Sequence, residues 1–324
     1  MMAAPSSTGL VLFRVAAGPR LGFGHLRRAE VLARALAMPA RISVRGAGQP
    51  QSRLAGVDAG SAGATLDGIR PIVLVIDDPH VAHGCRWVAA AARRDIPVIS
   101  LHDLGLARVA STLAIDGSIV SPARGWPARR VLRGLPYAVI GRPRRRRAPG
   151  EVRRVLVSLG GGARGPLTLA VATALAERHP GLEIVLTRGL SPDGWRAPAG
   201  VRLVDAPDGL ASWFARVDAA VVGGGVSLYE AVAAGVPTVA VAVVPAQRPT
   251  IRGFADAGLT IDGGAAGASP ERAARRIAQR VATVTDDHRW RERVWRDGPR
   301  AVDGRGAERV ARAIGAVVAG AAHA

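Results

Sequence analysis

A glycine-rich turn and a histidine stand together near the start of the sequence, in the stretch GPRLGFGHLRRAEVLARALA. Gly22 and Gly24 follow an apolar run that predicts a strand, and His25 stands at the predicted start of a helix. Glycine lets a phosphate oxygen approach the backbone N–H groups at a helix N-terminus, where the helix dipole favours negative charge. His25 is therefore either a general base, since its protonated form is disfavoured there, or a polar helix-start residue with a backbone hydrogen bond.

Two further glycine turns follow predicted strands in the second half of the chain. Gly160, Gly161 and Gly162 precede a helix predicted over residues 166–178, and Gly223-Gly224-Gly225 precedes one predicted over 226–234. Three such turns at the carboxyl ends of strands predict a ligand that carries phosphate. The ligand site is not a Walker loop, because the chain contains no Lys, and no clear dinucleotide-binding glycine pattern is present.

Ser227 and Glu230 follow the last of these turns and lie three residues apart on one face of the predicted helix. The hydroxyl of Ser227 suits a phosphate, and the carboxylate of Glu230 could accept both hydroxyls of a ribose. The same residues also form the pattern Ser-x-x-Glu, which is typical of a helix capping box. The residues alone favour neither interpretation.

Acids and histidines concentrate after two predicted buried strands, in IDDPH (76–80) and LHDL (101–104). A metal site of Asp78, His80, His83 and His102 is one interpretation, but the spacing matches no standard ligand pattern. Helix or turn capping is the simpler interpretation of the aspartates. We therefore expect no metal and no cofactor, and we retain Asp78 and Asp103 as candidates for contacts with substrate hydroxyls.

The predicted elements alternate between short apolar strands and helices, which indicates parallel α/β units. In the first half the strands include RISVRG, PIVLVIDD, IPVISLHD and YAVIG; in the second, RVLVSLGGG, LEIVLTRG, DAAVVGGG and VPTVAVAVV. An arginine-rich stretch without periodicity separates the halves. The fold class predicted is α/β, with two doubly wound Rossmann-like domains that face a central cleft. The predicted domains are an α/β domain at residues 1–142, a linker at 143–152, a second α/β domain at 153–290 and a helical tail at 291–324.

The composition is that of a globular protein, with 48% hydrophobic residues among 324. The net charge is +19, and all 44 basic residues are Arg. Nucleic acid is not an expected specific partner, because no nucleic-acid motif accompanies the charge. A peripheral membrane contact through the arginine-rich surface stays open, as does the oligomeric state. No signal-peptide pattern and no long apolar segment are evident, so we expect a cytoplasmic protein.

Several segments together resemble the PseG-like nucleotide-sugar hydrolases of the pseudaminic-acid pathway, namely GFGHLRRAEVLARAL, LVIDD, VLVSLGGG, DAAVVGGGVSLYEAVAAGVPTVAV, AQRPT and VDGRGAERVARAI. Members of that family remove UDP from a diacetamido-trideoxyhexose, and they are relatives of MurG with the GT-B glycosyltransferase fold. The specific parts of the resemblance are Gly-x-Gly-His-x-x-Arg and Gly-Gly-x-Ser-x-x-Glu. Two family residues are replaced: Pro79 stands in place of a Tyr, and Ala246 in place of an Asn.

The resemblance implies roles for individual residues. His25 is the candidate catalytic residue that orients or deprotonates water. The substrate-binding candidates are Gly22, Gly24, Arg28 and Gln247, together with Asp78 and Asp103, which are retained from their place after the strands. The nucleotide-binding candidates are Gly160, Gly161, Gly162, Gly224, Gly225, Ser227 and Glu230.

The activity predicted is a metal-independent, inverting removal of UDP from an amino or deoxy sugar in the biosynthesis of a cell-surface polysaccharide. The alternatives are a GT-B glycosyltransferase with the same donor site and a nucleotide-sugar-binding protein that has lost turnover.

Overall fold

The structure is a computed structural model that describes residues 9–18, 21–46, 55–57, 60–145, 147–160, 165–188, 196–206 and 209–321. These residues pack into two units. Unit 1 extends to Val139 and resumes at Arg305, and unit 2 extends from Ile140 to Gly304. The predicted tail is therefore divided between the units, since its last helix packs in unit 1.

Strands and helices alternate along the chain in the following order: β1 (Val11–Ala16), α1 (Gly24–Ala35), β2 (Ala40–Arg45), β3 (Ala55–Val57), α2 (Ala62–Ile69), β4 (Val73–Asp77), α3 (Val81–Ala92), β5 (Val98–His102), β6 (Ser111–Asp116), β7 (Ala128–Arg133), β8 (Arg154–Ser158), α4 (Gly165–Arg178), β9 (Glu183–Thr187), β10 (Val201–Val204), α5 (Ala211–Phe214), β11 (Ala219–Gly223), α6 (Val226–Ala234), β12 (Thr238–Ala242), α7 (Arg248–Asp256), β13 (Ile261–Ala265), α8 (Pro270–Asp286), α9 (His288–Ala301) and α10 (Gly306–Ala321).

Unit 1 is built on a parallel sheet with the strand order β3-β2-β1-β4-β5-β6-β7. Successive side chains of a strand point to opposite faces of the sheet. Phe13 and Val75 thus pack with α1 and α10 on one face, whereas Leu12 and Leu74 pack with α2 and α3 on the other. The chain order reverses between β1 and β4, which is the switch point where ligands of doubly wound sheets bind.

Unit 2 repeats this plan with the parallel order β10-β9-β8-β11-β12-β13. Helices α4 and α8 cover one face through buried residues such as Val171, Leu175 and Ile277. The corresponding switch point lies between β8 and β11. The prediction of two doubly wound Rossmann-like α/β units is therefore confirmed.

The predicted strand YAVIG is wrong. Tyr137 ends a short 3-10 helix, and Ala138 and Val139 are buried against α10 instead of joining a sheet. Close contact between Gly306 of α10 and the carbonyl of Ala138 leaves no room for a Cβ there. Strands β6 and β7, which extend the sheet of unit 1 beyond β5, were not predicted.

Candidate functional site

The turn between β1 and α1 holds His25 at the switch point of unit 1. Gly18 and Gly22 pair through backbone hydrogen bonds: Gly18 N–H donates to the Gly22 carbonyl at 3.1 Å, and Gly22 N–H donates to the Gly18 carbonyl at 2.7 Å. Gly22 has a φ of +82°, which favours glycine. Gly24 is the first residue of α1, and His25 is the second.

His25 and Asp77 form a hydrogen-bonded dyad. Asp77 ends β4, the strand beside β1, and its Oδ1 lies 2.8 Å from His25 Nδ1. An ionised carboxylate only accepts hydrogen bonds, so Nδ1 carries the ring proton and Nδ1–H donates a hydrogen bond to Asp77. The lone pair of the neutral ring is consequently on Nε2, the nitrogen that a general base uses. The side chain of His25 is 17% exposed, whereas that of Asp77 is 2% exposed.

Arg28, one turn after His25 in α1, holds the carboxylate of Asp77 in place. Its Nε and Nη2 donate to the two oxygens of Asp77, at 2.7 and 2.6 Å. Its Nη1 and Nη2 donate to Asp103, at 2.6 and 3.1 Å. Four guanidinium N–H bonds are thus directed at carboxylates. The substrate contacts predicted for Arg28 and Asp103 stay predictions; in the structure these two side chains bond to each other, and that of Asp103 is half-exposed.

The charges around the dyad raise the pKa of His25. Burial by itself lowers that pKa, but the negative charge of Asp77 and the hydrogen bond to it raise the value above the ordinary 6.5. Burial also favours the protonated form of Asp77, yet the charges of Arg28 and His25 hold its pKa well below the ordinary range. A lowered pKa was expected for His25 at a helix N-terminus; the pKa is raised instead, because the effects of Asp77 exceed those of burial and of Arg28.

Asp78 lies on the opposite face of the sheet from this dyad. It accepts two hydrogen bonds from Arg45, Nε to Oδ2 and Nη2 to Oδ1, both at 2.7 Å, and one from the backbone N–H of His80 at 2.9 Å. Although burial raises its pKa, the hydrogen bonds from Arg45 hold that pKa below its ordinary value. The structure therefore does not bring Asp78 together with His25.

The structure does not support a metal site of Asp78, His80, His83 and His102. His102 is buried and shares hydrogen bonds with the Ser100 hydroxyl at 2.7 Å and the Leu106 carbonyl at 3.1 Å. Among the described residues, no three His, Cys, Asp or Glu side chains cluster in a way that could hold a metal ion.

In the part of the chain that the structure describes, no helix has the length and apolar character needed to cross a membrane.

The glycine turn of unit 2 leads from β11 into α6 at the second switch point. Gly224 N–H donates to the Val241 carbonyl at 3.2 Å, and a Cβ at Gly224 would lie 2.7 Å from the side chain of Ile251. Packing against Ile251 thus requires a glycine at position 224, which was predicted to bind the nucleotide. Gly225, the N-cap of α6, has more room, and the first N–H groups of a helix lack acceptors within the helix.

Ser227 and Glu230 are the second and fifth residues of α6. A capping box places its Ser at the N-cap and its Glu three residues later, whereas here the N-cap is Gly225 and its cap has no side-chain hydrogen bond. The capping interpretation is therefore wrong. Both side chains are half-buried on the first turns of α6. Gly141 lies beside this carboxylate, since a Cβ placed on it would stand 3.8 Å from Glu230 Oε1.

Gln247 lies over the same turn. Its Oε1 accepts a hydrogen bond from Val243 N–H at 3.0 Å, which orients the side chain. Its Nε2 is 3.6 Å from the place where a Cβ of Gly225 would stand, so the amide donor is directed towards the N-terminus of α6. The other glycine turn predicted in unit 2 is that of Gly160, Gly161 and Gly162. Gly160 follows β8 and has a φ of +102°, whereas Gly161 and Gly162 lie outside the described residues.

Asp77 is the functional residue that the sequence analysis did not select. The signal was available in the parity of β4: Val73, Val75 and Asp77 share the face that packs against α1, and Asp78 does not. The pairing of β1 with β4 then brings Asp77 to His25 across 52 residues of sequence.

No family model matches the chain. The spore coat polysaccharide biosynthesis protein SpsG of Bacillus subtilis (strain 168) is 27% identical over 170 residues, which cover 49% of this chain and 49% of SpsG. The match thus spans about half the length of that relative.

Two solved structures are similar to this chain over nearly their whole length. The spinosyn rhamnosyltransferase SpnG, complexed with thymidine diphosphate, has a TM-score of 0.62 at 17% identity, covering 90% of this chain and 96% of SpnG. MurG of Acinetobacter baumannii has a TM-score of 0.61 at 15% identity, covering 94% of this chain and 99% of MurG. The chain therefore has the GT-B fold of these enzymes.

Proposed function

We propose that this protein is a glycosyltransferase that uses a nucleotide-sugar donor in the biosynthesis of a polysaccharide, with His25 as its general base. The observation that carries the proposal is the His25–Asp77 dyad at the switch point of unit 1. The fold shared with SpnG and MurG supports sugar transfer, and the similarity to SpsG supports a polysaccharide as the product.

The dyad acts on the hydroxyl group of the acceptor. Nε2 of His25 takes the proton of that hydroxyl while the oxygen attacks the anomeric carbon of the donor sugar. The bond from that carbon to the diphosphate oxygen breaks, and the electron pair leaves with the nucleoside diphosphate. Asp77 stabilises the imidazolium that results, as the carboxylate of a catalytic triad does. Attack from the side opposite the leaving group inverts the anomeric configuration.

Unit 2 carries the residues that we assign to the nucleotide. The N–H groups in the first turn of α6 and the Ser227 hydroxyl bind the diphosphate, because a helix N-terminus favours anions. The amide of Gln247 adds a donor on the same side. Glu230 accepts the hydroxyls of the ribose. UDP is the nucleotide we propose, and the thymidine diphosphate bound in SpnG supports a nucleoside diphosphate in this fold.

The same base could act on water, which is the hydrolysis that the resemblance implied. His25 is partly exposed and so accessible to a small nucleophile. The glycosyltransferase structures favour transfer over hydrolysis. The two activities differ in their products, so one assay separates them.

The test is turnover of a panel of UDP- and thymidine diphosphate-linked sugars, with and without oligosaccharide acceptors, followed by product analysis. Transfer predicts that release of nucleoside diphosphate depends on an acceptor and gives a glycoside of inverted configuration. Release of free sugar at the same rate without acceptor would assign hydrolysis instead. Nucleotide binding without either product would contradict both activities.

A further inference from the structure

Unit 1 contains a cavity of about 410 Å³ on the α2/α3 face of its sheet, the face opposite His25. Its described lining includes Arg14, Arg45 and Arg86, together with Ser61, His83 and Trp87, and no Asp or Glu. We call it the arginine cavity. Its volume lies within the range of about 300–1,000 Å³ that is common for small-molecule sites.

Two of the arginines are held in place by the protein itself. Arg14, in the middle of β1, is 6% exposed, donates from Nη1 to the Ser43 hydroxyl at 2.7 Å and lies with its guanidinium carbon 4.6 Å from the centre of the Trp87 ring. Asp78 holds Arg45 through Nε and Nη2, so Nη1 is the nitrogen that this carboxylate does not engage. A planar guanidinium fixed in this way is pre-organised to donate to an oxyanion.

Other groups around the cavity add to its positive character. Ser61 caps α2 by accepting from Ala64 N–H at 3.2 Å, so the N-terminal end of that helix, with its partial positive charge, borders the cavity. Burial, followed by the charge of Arg45, lowers the pKa of His83; Arg86 and His80 act in the same direction, and Asp78 opposes them. The charges of Arg45 and Arg86 thus contribute to the lowered pKa of His83, after burial.

We propose that the arginine cavity binds the phosphoryl group of an anionic ligand. Several guanidinium groups and a helix N-terminus suit the oxygens of a phosphate, which accepts several charge-assisted hydrogen bonds at once. The cavity uses none of the residues assigned to the base or to the nucleotide, so it does not rest on the transfer reaction. It also gives Asp78 and His83 a function that the first site does not.

The test follows the ring signals of His83 by NMR while inorganic phosphate or glucose 1-phosphate is added at constant ionic strength. The signals are assigned with His83→Gln. Binding should shift them saturably and raise the pKa of His83, because the bound anion offsets the charge of the arginines. Tighter binding of inorganic phosphate would indicate a free anion as the ligand, and tighter binding of glucose 1-phosphate would indicate a phosphorylated organic molecule; either ranking supports the site.

The variant Arg86→Gln removes a charge at the exposed edge of the cavity and should weaken phosphate binding by about tenfold, as the loss of one charge-assisted hydrogen bond does. The matched control is Arg93→Gln, an exposed arginine at the other end of α3 that does not line the cavity; its binding should equal that of the wild type. No shift of His83 at millimolar phosphate, equal affinity in Arg86→Gln, or equal weakening in both variants would overturn the proposal. Turnover of nucleotide-sugars is measured separately, so failure of either proposal leaves the other readable.

Discussion

The two switch points of the molecule have the same backbone plan and different chemistry. At each, a strand leads through a glycine-containing turn into a helix at the carboxyl edge of a parallel sheet. In unit 1 the turn is followed by His25 and Arg28, which bond to Asp77. In unit 2 the turn is followed by Ser227 and Glu230, beside a glutamine amide. Unit 1 thus presents a network of buried charges, and unit 2 presents backbone and neutral donors with one carboxylate.

The difference shows what each site is suited to do. In unit 1, a buried carboxylate orients a histidine and raises its pKa, which suits that histidine to act as a base in catalysis. In unit 2, helix N–H groups, a hydroxyl and an amide suit the binding of an anion. We therefore expect substitutions in the unit 1 network to reduce turnover and substitutions at the unit 2 turn to reduce nucleotide affinity.

The largest expected effect is that of His25→Gln. Loss of the general base should lower kcat by about 100- to 10,000-fold. The Kd of UDP, measured by calorimetry, should stay unchanged, because the nucleotide residues lie in unit 2. The control His80→Gln alters an exposed histidine and should keep full activity. Wild-type turnover in His25→Gln would remove the base assignment.

The next effect is that of Asp77→Asn. Because the amide cannot accept from His25 and Arg28 as a carboxylate does, kcat should fall by roughly 100-fold or more. Loss of the buried ion pair with Arg28 should also lower the free energy of unfolding by about 3 kcal/mol, measured in urea.

Asp103→Asn is the matched control for that variant. Asp103 also bonds Arg28, but its side chain is half-exposed. The expected losses in activity and stability are much smaller than for Asp77→Asn. Equal losses in the two variants would contradict a specific role for Asp77.

Glu230→Gln tests the other side of the comparison. Replacing a charged acceptor for the ribose by an amide should raise the Kd of UDP by about tenfold, the cost of a charged hydrogen bond. Catalysis by the saturated enzyme should change little. Glu177→Gln, at an exposed position of α4, serves as the control. An unchanged Kd in Glu230→Gln would count against the ribose assignment.

The smallest expected effect is that of Gln247→Ala. The variant loses one neutral donor and the hydrogen bond to Val243, so the Kd of UDP should rise by only about threefold to tenfold. Gln279→Ala, at an exposed position of α8, should leave the Kd unchanged. A loss in kcat instead of affinity would mean that Gln247 acts in the chemical step.

The fold was predictable from the sequence because strands buried on both faces leave continuous apolar runs. PIVLVIDD and VPTVAVAVV both become central strands for that reason. The failures have physical causes as well. Strand β7, with the sequence ARRVLR, lies at the edge of its sheet with exposed arginines, so it lacks an apolar run. YAVIG has such a run, but its residues are buried by α10, a helix more than 160 residues away.

The candidate site was predictable only in part. His25 and the glycine turn that precedes α6 could be predicted, because both depend on local sequence. The partner of His25 was predictable only in so far as the parity of β4 separates Asp77 from Asp78, which point to opposite faces of the sheet. The choice between them depends on the pairing of β1 with β4 and on the helix that covers each face.

In the proposed reaction, Asp77 orients His25 and raises its pKa. The pH dependence of kcat/KM for the wild type and for Asp77→Asn tests this role of Asp77. The base is active when neutral, so the wild-type value should rise with pH through an apparent pKa above 6.5. In Asp77→Asn, burial and the charge of Arg28 lower the pKa of His25, and only the weaker effect of Asp103 raises it, so the rise should move to a pKa below 6.5. The same apparent pKa in the two proteins would contradict this role of Asp77.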